Sequence, residues 1–301
     1  MLKITFLGTS GMVPTKDRNV QSIYLDYKGE GILLDCGEGT QRQITYAKLN
    51  AQKIKKILIS HWHGDHVLGL PGLIQTISNF SPEGKQLTIF GPKGSKEYFD
   101  HMMKSSDFET SLKINLIEID AQEMTTIFEN DDYLIKAINL EHSIPCLGYR
   151  IERKEQIKIL KEKLPSGLSG PLIGDLKKGK EIVFNGSILK SEDYTKKEPS
   201  KAIAFIFDTK LTDACYELAE ETDLLVSEAV YTSEHEMKAE EYKHLTARQV
   251  ASIASQSGTK ELILTHFSQR YKDVSVLEED AKNLFEKTIC AYDFMKVDLN
   301  F

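Results

Sequence analysis

Six consecutive residues, HWHGDH at positions 61–66, constrain this chain more than any other part of its sequence. They contain four side chains that can bind a metal ion: His61, His63, Asp65 and His66. Imidazole and carboxylate ligands suit zinc and similar divalent ions, and no thiolate is present to favour iron–sulfur chemistry. Because burying such groups together without partners would be costly, a cation is the better explanation of the cluster. One ion would take His61 and His63. A second would take Asp65 and His66.

Each of these ions needs further ligands, and three other polar side chains are predicted to lie at strand ends. His142 follows IKAINLE, Asp208 follows KAIAFIF, and His266 follows ELILT. The carboxyl ends of strands in open α/β sheets are where ligands and catalytic groups collect. Asp208 can bridge the two ions, with His142 completing one site and His266 the other. Two ions that share a water activate it for displacement at a phosphate or carbonyl group. Taken singly, each residue is more often an ordinary polar side chain, so the HWHGDH cluster carries the prediction.

Segments typical of strands and of helices alternate along the whole chain. Strands are predicted at LKITFLG, SIYLDY, KKILIS, DLLVSEAVY and DFMKVDL, and helices at TQRQITYAKLN, PGLIQTISNF and VLEEDAKNLFEK. Thr246 and Gln249 form a capping-box pattern that begins a helix, and Gly258 can end it. This alternation predicts an α/β or α+β fold. A length of 301 residues is compatible with a single domain, residues 1–301.

Residues 150–200 differ from the rest in composition and charge. RKEQIKILKEKL predicts a helix, because Ile157, Leu160 and Leu164 have helical spacing, and the LPSGLSGPLIGDLKKGK that follows is rich in glycine, proline and lysine. The stretch contains 12 Lys/Arg and 8 Asp/Glu, a net charge of +4. Since the net charge of the whole chain is −7, the remaining residues together carry −11. We predict an inserted arm at about 152–185 that projects from the body. Its positive charge would attract a polyanion.

Cysteine usage and hydropathy bear on the compartment. The four cysteines are dispersed without CxxC spacing, which predicts reduced thiols rather than disulfides or a cysteine zinc site. No apolar run approaches the roughly 18 residues that a membrane span needs. The apolar start of the chain ends at Gly8, too early for the core of a signal peptide. We therefore expect a soluble, cytoplasmic protein without a membrane partner.

The HWHGDH motif matches the HxHxDH signature of the metallo-β-lactamase superfamily, and longer segments narrow the resemblance. FLGTSGMVPT, RNVQS, LLDCGEGTQRQ, ISHWHGDHVLGLPGL, YKHLTA and LILTHFSQRY all resemble ribonuclease Z, the tRNA 3′-processing endonuclease. The similarity runs from Leu2 to about Asp298, and LGLPGL after HGDH is more specific than the signature itself. The resemblance implies an αββα metallo-β-lactamase sandwich with a projecting exosite arm.

The resemblance also implies roles for individual side chains. Seven of them would hold two zinc ions per subunit, with manganese or iron as alternatives. These ligands are His61, His63 and His142 for one ion, Asp65, His66 and His266 for the other, and Asp208 between them. Asp65 would orient or deprotonate the attacking water. His244, in YKHLTA, would protonate the leaving 3′ oxygen, and Glu228, in SEAVY, would be the acid paired with His244.

The expected reaction is removal of the 3′ trailer from precursor tRNA, leaving a 3′-hydroxyl on the tRNA and a 5′-phosphate on the trailer. The arm of the family often contains a Gly-Pro motif, which Gly170 and Pro171 match here, and Lys177, Lys178 and Lys180 would contact tRNA phosphates. The family works as a homodimer in which the arm of one subunit holds the tRNA that the other subunit cuts. A homodimer is therefore expected here.

Two residues depart from the family pattern. Phe207 stands where a glycine usually precedes the bridging aspartate, and Ser227 stands where a histidine often precedes Glu228. Neither substitution removes a predicted ligand, but both bear on the detailed geometry of the site. Two other functions share most of these residues: a small-molecule phosphodiesterase or arylsulfatase-like metallohydrolase of the same superfamily, and an RNA-binding relative that has lost catalysis.

Overall fold

The β-branched and apolar runs of the sequence form strands, and the segments with helical spacing form helices. The computed structural model describes residues 1–301. Its strands are β1 (Leu2–Gly8), β2 (Ser22–Tyr27), β3 (Glu30–Leu34), β4 (Ile54–Leu58), β5 (Gln86–Pro92), β6 (Lys113–Ile119), β7 (Thr125–Glu129), β8 (Tyr133–Leu140), β9 (Cys146–Arg153), β10 (Gln156–Ile159), β11 (Ile182–Phe184), β12 (Ser187–Leu189), β13 (Thr195–Glu198), β14 (Lys201–Ile206), β15 (Leu224–Glu228), β16 (Leu262–Thr265), β17 (Thr288–Cys290) and β18 (Lys296–Leu299). Its α-helices are α1 (Thr40–Tyr46), α2 (Gly64–Val67), α3 (Leu70–Asn79), α4 (Ser95–Met103), α5 (Pro171–Lys177), α6 (Ser191–Tyr194), α7 (Asp213–Ala219), α8 (Glu236–Tyr242), α9 (Ala247–Gln256) and α10 (Ser275–Lys282).

Fourteen of these strands form two seven-stranded sheets of similar design. The first has the order β18-β1-β2-β3-β4-β5-β6, antiparallel from β18 to β3 and parallel from β3 to β6. The second has the order β17-β16-β15-β14-β9-β8-β7, parallel from β17 to β14 and antiparallel from β14 to β7. Each sheet therefore has a parallel half whose strands end at one edge, where functional side chains collect.

The two sheets pack face to face, and helices cover both outer faces. Side chains such as Phe6, Tyr149 and Phe205 form a central core between the sheets. Helices α1, α3 and α4 pack on the first sheet, and α7, α9 and α10 pack on the second. Each fully buried Leu, Ile or Phe contributes about 1.5–3 kcal/mol to this packing. The predicted αββα sandwich is confirmed. None of its helices is both long enough and apolar enough to cross a bilayer.

The capping box predicted from the sequence is present at the start of α9. The Thr246 hydroxyl accepts a hydrogen bond from the Gln249 amide at 3.2 Å, and the Gln249 side chain accepts one from the Thr246 amide at 2.9 Å. Gly258 follows the helix with φ +71°, a conformation that glycine adopts without strain. The capping box fixes where α9 begins, and with it the position of the preceding residues 244–245.

The segment between β9 and β14 forms a small separate unit, which we call the arm, residues 156–198. Strands β10 and β13 pair at its base, and β11 and β12, which lie between them in the chain, form a hairpin. A small apolar cluster holds it together: Leu168, Leu176, Ile182 and Leu189. The helix predicted for RKEQIKILKEKL is wrong, because β10 and a short 3₁₀ turn at Lys161–Lys163 occupy this stretch. Cross-strand pairing with β13 outweighs the helical spacing of three apolar residues.

Candidate metal centre

The seven predicted ligands meet at the edge where the parallel strands of both sheets end. Their ligand atoms fall into two groups, each within 4.8 Å: His61, His63, His142 and Asp208 in one, and Asp65, His66 and His266 in the other. HWHGDH follows β4 and continues into α2, whereas Asp208 and His266 lie just beyond β14 and β16 and His142 just beyond β8. Both sheets therefore contribute to the centre.

Asp208 lies between the two groups and faces each with a different oxygen. Its Oδ2 is 3.7 Å from His61 Nε2 and 3.8 Å from His142 Nε2. Its Oδ1 is 3.5 Å from His66 Nε2 and 3.3 Å from His266 Nδ1. Burial opposes ionisation of this carboxyl, but the surrounding imidazoles hold its pKa well below the usual range. A bridging carboxylate needs this arrangement.

Two imidazoles use Nδ1 for a hydrogen bond and direct Nε2 towards another histidine of the centre. His66 Nδ1 donates to Asp35 Oδ2 at 2.7 Å, and His142 Nδ1 donates to the carbonyl oxygen of Lys243 at 3.0 Å. In the neutral imidazole that a metal ion binds, these hydrogen bonds keep the one N–H on Nδ1 and leave Nε2 as the ligating atom. His142 Nε2 is 3.3 Å from His63 Nδ1, and His66 Nε2 is 3.1 Å from His266 Nε2.

Two buried polar atoms of the centre, Asp208 Oδ1 and His266 Nδ1, make no hydrogen bond. An unpaired buried polar atom is costly, and a bound cation would satisfy both of these atoms. Burial lowers the pKa of His61 well below its usual value and so favours the neutral, ligating form. The donor set is entirely nitrogen and oxygen, which suits zinc, manganese or iron. These residues fit a dinuclear metal site.

Close backbone packing behind α2 explains why the family segments near it are rich in glycine. A Cβ on Gly37 would lie 2.2 Å from the carbonyl oxygen of Asp65, and a Cβ on Gly69 would lie 2.2 Å from the carbonyl oxygen of Gly37. The Gly69 amide also donates to the carbonyl oxygen of Cys36 at 2.9 Å. The loop after β3 and the ligand-bearing turn therefore touch through their main chains.

We expect Gly69→Ala to lower the free energy of unfolding of the metal-free protein by about 1–3 kcal/mol, because backbone must shift to admit the methyl group. Urea denaturation measures the change. Gly174→Ala is the matched control, since a Cβ at this position in α5 meets no atom within 4 Å. Equal stabilities of the two variants would contradict the close packing.

Asp35 supports the ligands from behind, and the sequence reasoning did not single it out. Its Oδ1 accepts from the Ser60 amide at 2.7 Å, and its Oδ2 accepts from the Ser60 hydroxyl at 2.7 Å as well as from His66. Asp35 and His266 both have φ of +54°, which is uncommon for residues other than glycine and typical of functional sites. Asp35 follows β3 directly, so the strand-end rule that selected the ligands would also have found it.

We expect Asp35→Asn to weaken metal binding about 10–100-fold, because the amide cannot accept from both Ser60 and His66 as the carboxylate does. Competition with a chromogenic chelator measures the affinity. Asp26→Asn, an isosteric change on β2 away from the centre, is the control. An unchanged affinity would mean that Asp35 serves only the packing of the loop.

His244 and Glu228 form a pair beside the ligands. His244 Nδ1 lies 3.1 Å from Glu228 Oε2 and 3.9 Å from Asp208 Oδ2. Burial disfavours the charged imidazole, yet the carboxylates of Glu228 and Asp208 raise the pKa of His244 to about 9. Glu228 is itself held by the Thr209 amide, which donates to its Oε1 at 2.9 Å. The pair thus presents a protonated imidazole next to the metal-binding groups.

Comparisons with known proteins place this site in a family. Proteins named ribonuclease Z from Methanosarcina mazei and Methanothermobacter thermautotrophicus are 37% and 39% identical to this chain, over 100% and 99% of it and over 99% and 97% of their own lengths. The chain belongs to the ribonuclease Z family. A family model described as "Anti-Pycsar protein Apyc1" also matches residues 2–156, a little over half of the chain.

Solved structures agree with this membership of the ribonuclease Z family. The short form of human tRNase Z (ELAC1) aligns with a TM-score of 0.73 and 28% identity over 99% of this chain and 100% of that one. The metallo-β-lactamase fold protein YhfI from Bacillus subtilis aligns with a TM-score of 0.70 over 98% of both chains, and at 19% identity it bears on the fold alone. The family and its fold were both predicted correctly.

The two departures from the ribonuclease Z pattern fit into the structure without displacing ligands. Phe207 is buried in the core between the sheets, its ring centroid 6.4 Å from that of Phe205 and 6.5 Å from that of His66. Ser227 is buried, and its hydroxyl donates to the carbonyl oxygen of Glu228 at 3.1 Å.

The predicted arm residues lie around α5. Gly170 precedes the helix with φ +62° and has open space around its Cα, and Pro171 occupies the first turn. Lys177 and Lys178 are exposed at the end of α5. The Lys180 ammonium lies 3.2 Å from Asp175 Oδ1, a surface pair of small energetic weight.

Proposed function

We propose that this chain is a metal-dependent endoribonuclease that removes the 3′ trailer from precursor tRNA, leaving a 3′-hydroxyl on the tRNA and a 5′-phosphate on the trailer. The observation that carries the proposal is the His244–Glu228 pair within 3.1 Å, set beside a complete group of seven metal ligands. We further propose two zinc ions per subunit, held by these seven side chains, and a cytoplasmic location in keeping with the substrate.

The residues of the site divide the chemistry between them. Bound zinc would supply positive charge for the phosphate oxygens and lower the pKa of a water. Asp65, whose Oδ2 accepts from the Met12 amide at 2.6 Å, would orient the attacking water and take its proton. His244 would donate a proton to the leaving 3′ oxygen, and Glu228 would hold the imidazole charged and correctly oriented.

Full-length similarity favours this function over hydrolysis of a small phosphodiester. The ribonuclease Z relatives cover the arm, Asp208, His244 and His266, whereas the Apyc1 family model ends at residue 156. An open cleft of about 1090 Å³ leads to the proposed ligands and to His244. The stretch that the Apyc1 family model matches, residues 2–156, includes five of the seven proposed ligands.

Cleavage of an end-labelled precursor tRNA, with and without chelator, tests the proposal. We expect one cut near the discriminator nucleotide, which disappears with the chelator and in the Asp65→Ala protein. No cut by wild-type protein that retains about two zinc ions per chain would shift the assignment to a small-molecule phosphodiesterase.

The arm completes the proposal as the part that grips tRNA. Gly170, Pro171, Lys177, Lys178 and Lys180 would contact tRNA phosphates without reading sequence. In a homodimer, the arm of one copy would hold the tRNA that the other copy cuts. Sedimentation equilibrium of the holoenzyme measures the oligomeric state.

Deleting the arm tests its role, and the fold offers a clean place to cut. Ile159 and Thr195 are paired across β10 and β13, so an Asn-Gly turn can join them in place of residues 160–194. We expect kcat/KM for precursor tRNA to fall about 100-fold further than kcat/KM for bis(p-nitrophenyl) phosphate, because phosphate contacts far from the cut are lost. Equal losses on both substrates would remove the arm from tRNA binding.

A further inference from the structure

A guanidinium that no carboxylate pairs with lies on one wall of the cleft. The Cζ of Arg270 is 4.8 Å from the ring centroid of Tyr231, and its Nε donates to the Ser268 hydroxyl at 3.3 Å. Tyr231 is buried, and its ring centroid is 6.3 Å from that of His244. Tyr231 therefore separates the Arg270 cation from the proposed proton donor, and all three line the same cleft.

The loop that carries Arg270 is held at both ends. The Arg18 guanidinium donates to the carbonyl oxygens of Ser268 at 3.4 Å and Tyr271 at 2.9 Å. The Tyr271 hydroxyl accepts from the Thr232 amide at 3.0 Å, which joins the loop to the residue after Tyr231. Arg270 is thus presented to the cleft by a fixed backbone and by the face of an aromatic ring, so little side-chain freedom is lost on binding.

Another cation at the cleft is already engaged. The Lys243 ammonium donates to the carbonyl oxygen of His142 at 3.2 Å and lies 3.5 Å from Glu141 Oε1. Arg270 has no ion pair, and its planar guanidinium matches the geometry of a phosphate better than an ammonium does. A phosphate is therefore the ligand that this position suits.

We propose that Arg270, held on the face of Tyr231, binds the phosphate immediately 5′ to the nucleotide whose 3′ oxygen leaves. This inference rests on the proposed function, in which His244 protonates that oxygen. The ribose that carries the leaving oxygen then lies on the His244 side of the reacting phosphorus. From there the strand towards the tRNA body passes Tyr231 and meets Arg270. Arg270 would fix the strand and thereby place the scissile phosphate.

Kinetics on two substrates test the inference with the zinc-loaded enzyme. We expect Arg270→Ala to lower kcat/KM for precursor tRNA about 10–100-fold. The loss with bis(p-nitrophenyl) phosphate, which has no second phosphate, should be at least about tenfold smaller. Arg270→Lys should recover part of the loss, because it keeps the charge but not the planar fork. Lys272→Ala, which removes an exposed charge from the same loop outside the cleft, is the matched control.

A chemical double-mutant cycle locates the contact. The probe is a precursor tRNA with a neutral methylphosphonate in place of the phosphate 5′ to the cleaved nucleotide. Wild-type enzyme should lose about as much activity on this substrate as Arg270→Ala loses on the natural one, and the variant should lose little more. The salt dependence of log kcat/KM should also weaken by about 0.7 in the variant, the slope for one contact to a single strand.

The outcomes separate the inference from the function beneath it. Independent, additive losses from Arg270→Ala and from the methylphosphonate would overturn the assigned contact while precursor cleavage stands. So would an Arg270→Ala protein that behaves like Lys272→Ala. Failure of the wild-type enzyme to cut precursor tRNA at all would overturn both.

Discussion

Asp208→Ala is expected to remove metal from both halves of the centre and to reduce precursor tRNA cleavage by at least about 10³-fold. The carboxylate is the one side chain that reaches both groups, with Oδ2 facing His61 and His142 and Oδ1 facing His66 and His266. Loss of several kcal/mol of charge stabilisation at the phosphate corresponds to this reduction in rate. Metal analysis of the purified protein should give well under two zinc ions per chain.

Asp213→Ala is the control for this substitution, since Asp213 is an exposed carboxylate at the start of α7, five positions along the chain. It should bind metal and cut as the wild type does. An Asp208→Ala protein that kept two zinc ions and wild-type activity would show that Asp208 is not a bridging ligand. Circular dichroism of both variants separates loss of metal from loss of fold.

The meeting of the proposed ligands could be predicted because their positions obey a rule of sheet geometry. HWHGDH, Asp208 and His266 follow β4, β14 and β16, and the parallel halves of the two sheets bring these strand ends to one edge. Asp35 obeys the same rule after β3, where its carboxylate accepts a hydrogen bond from His66. Local pattern and tertiary position agree in this part of the chain.

Elsewhere the local sequence pattern either predicted the wrong secondary structure or gave no indication of a contact. The apolar spacing in RKEQIKILKEKL predicted a helix, but pairing of β10 with β13 supplies backbone hydrogen bonds that a short isolated helix would not match. The meeting of Arg270 with Tyr231 had no local signal, because the two residues are 39 positions apart and lie on loops that Arg18 and Tyr271 hold in place. Such contacts depend on tertiary packing rather than on periodicity.

His244→Ala is expected to reduce precursor tRNA cleavage about 10²–10⁴-fold while the metal content stays near that of the wild type. The imidazole is not one of the seven proposed ligands, and the neighbouring Glu228 and Asp208 carboxylates raise its pKa to about 9, which favours the protonated form. A 3′ oxygen is a poor leaving group and needs that proton, whereas p-nitrophenolate leaves without one. The loss of activity on bis(p-nitrophenyl) phosphate should therefore be much smaller than the loss on precursor tRNA.

Substitution of Glu228, the partner of His244, tests the proton-donor role of His244 through the pH dependence of the activity. Glu228→Gln keeps the size of the side chain but removes a charge that favours the protonated imidazole, so we expect the activity of this variant on precursor tRNA to begin to fall at a lower pH than that of the wild type. Protonated His244 is stabilised below its raised pKa, and lowering that pKa moves the loss of the donor to lower pH. His101→Ala, an exposed histidine on α4, is the control. If His244→Ala slowed both substrates equally, the imidazole would act on the attacking side or on binding, and the leaving oxygen would have to take its proton from elsewhere.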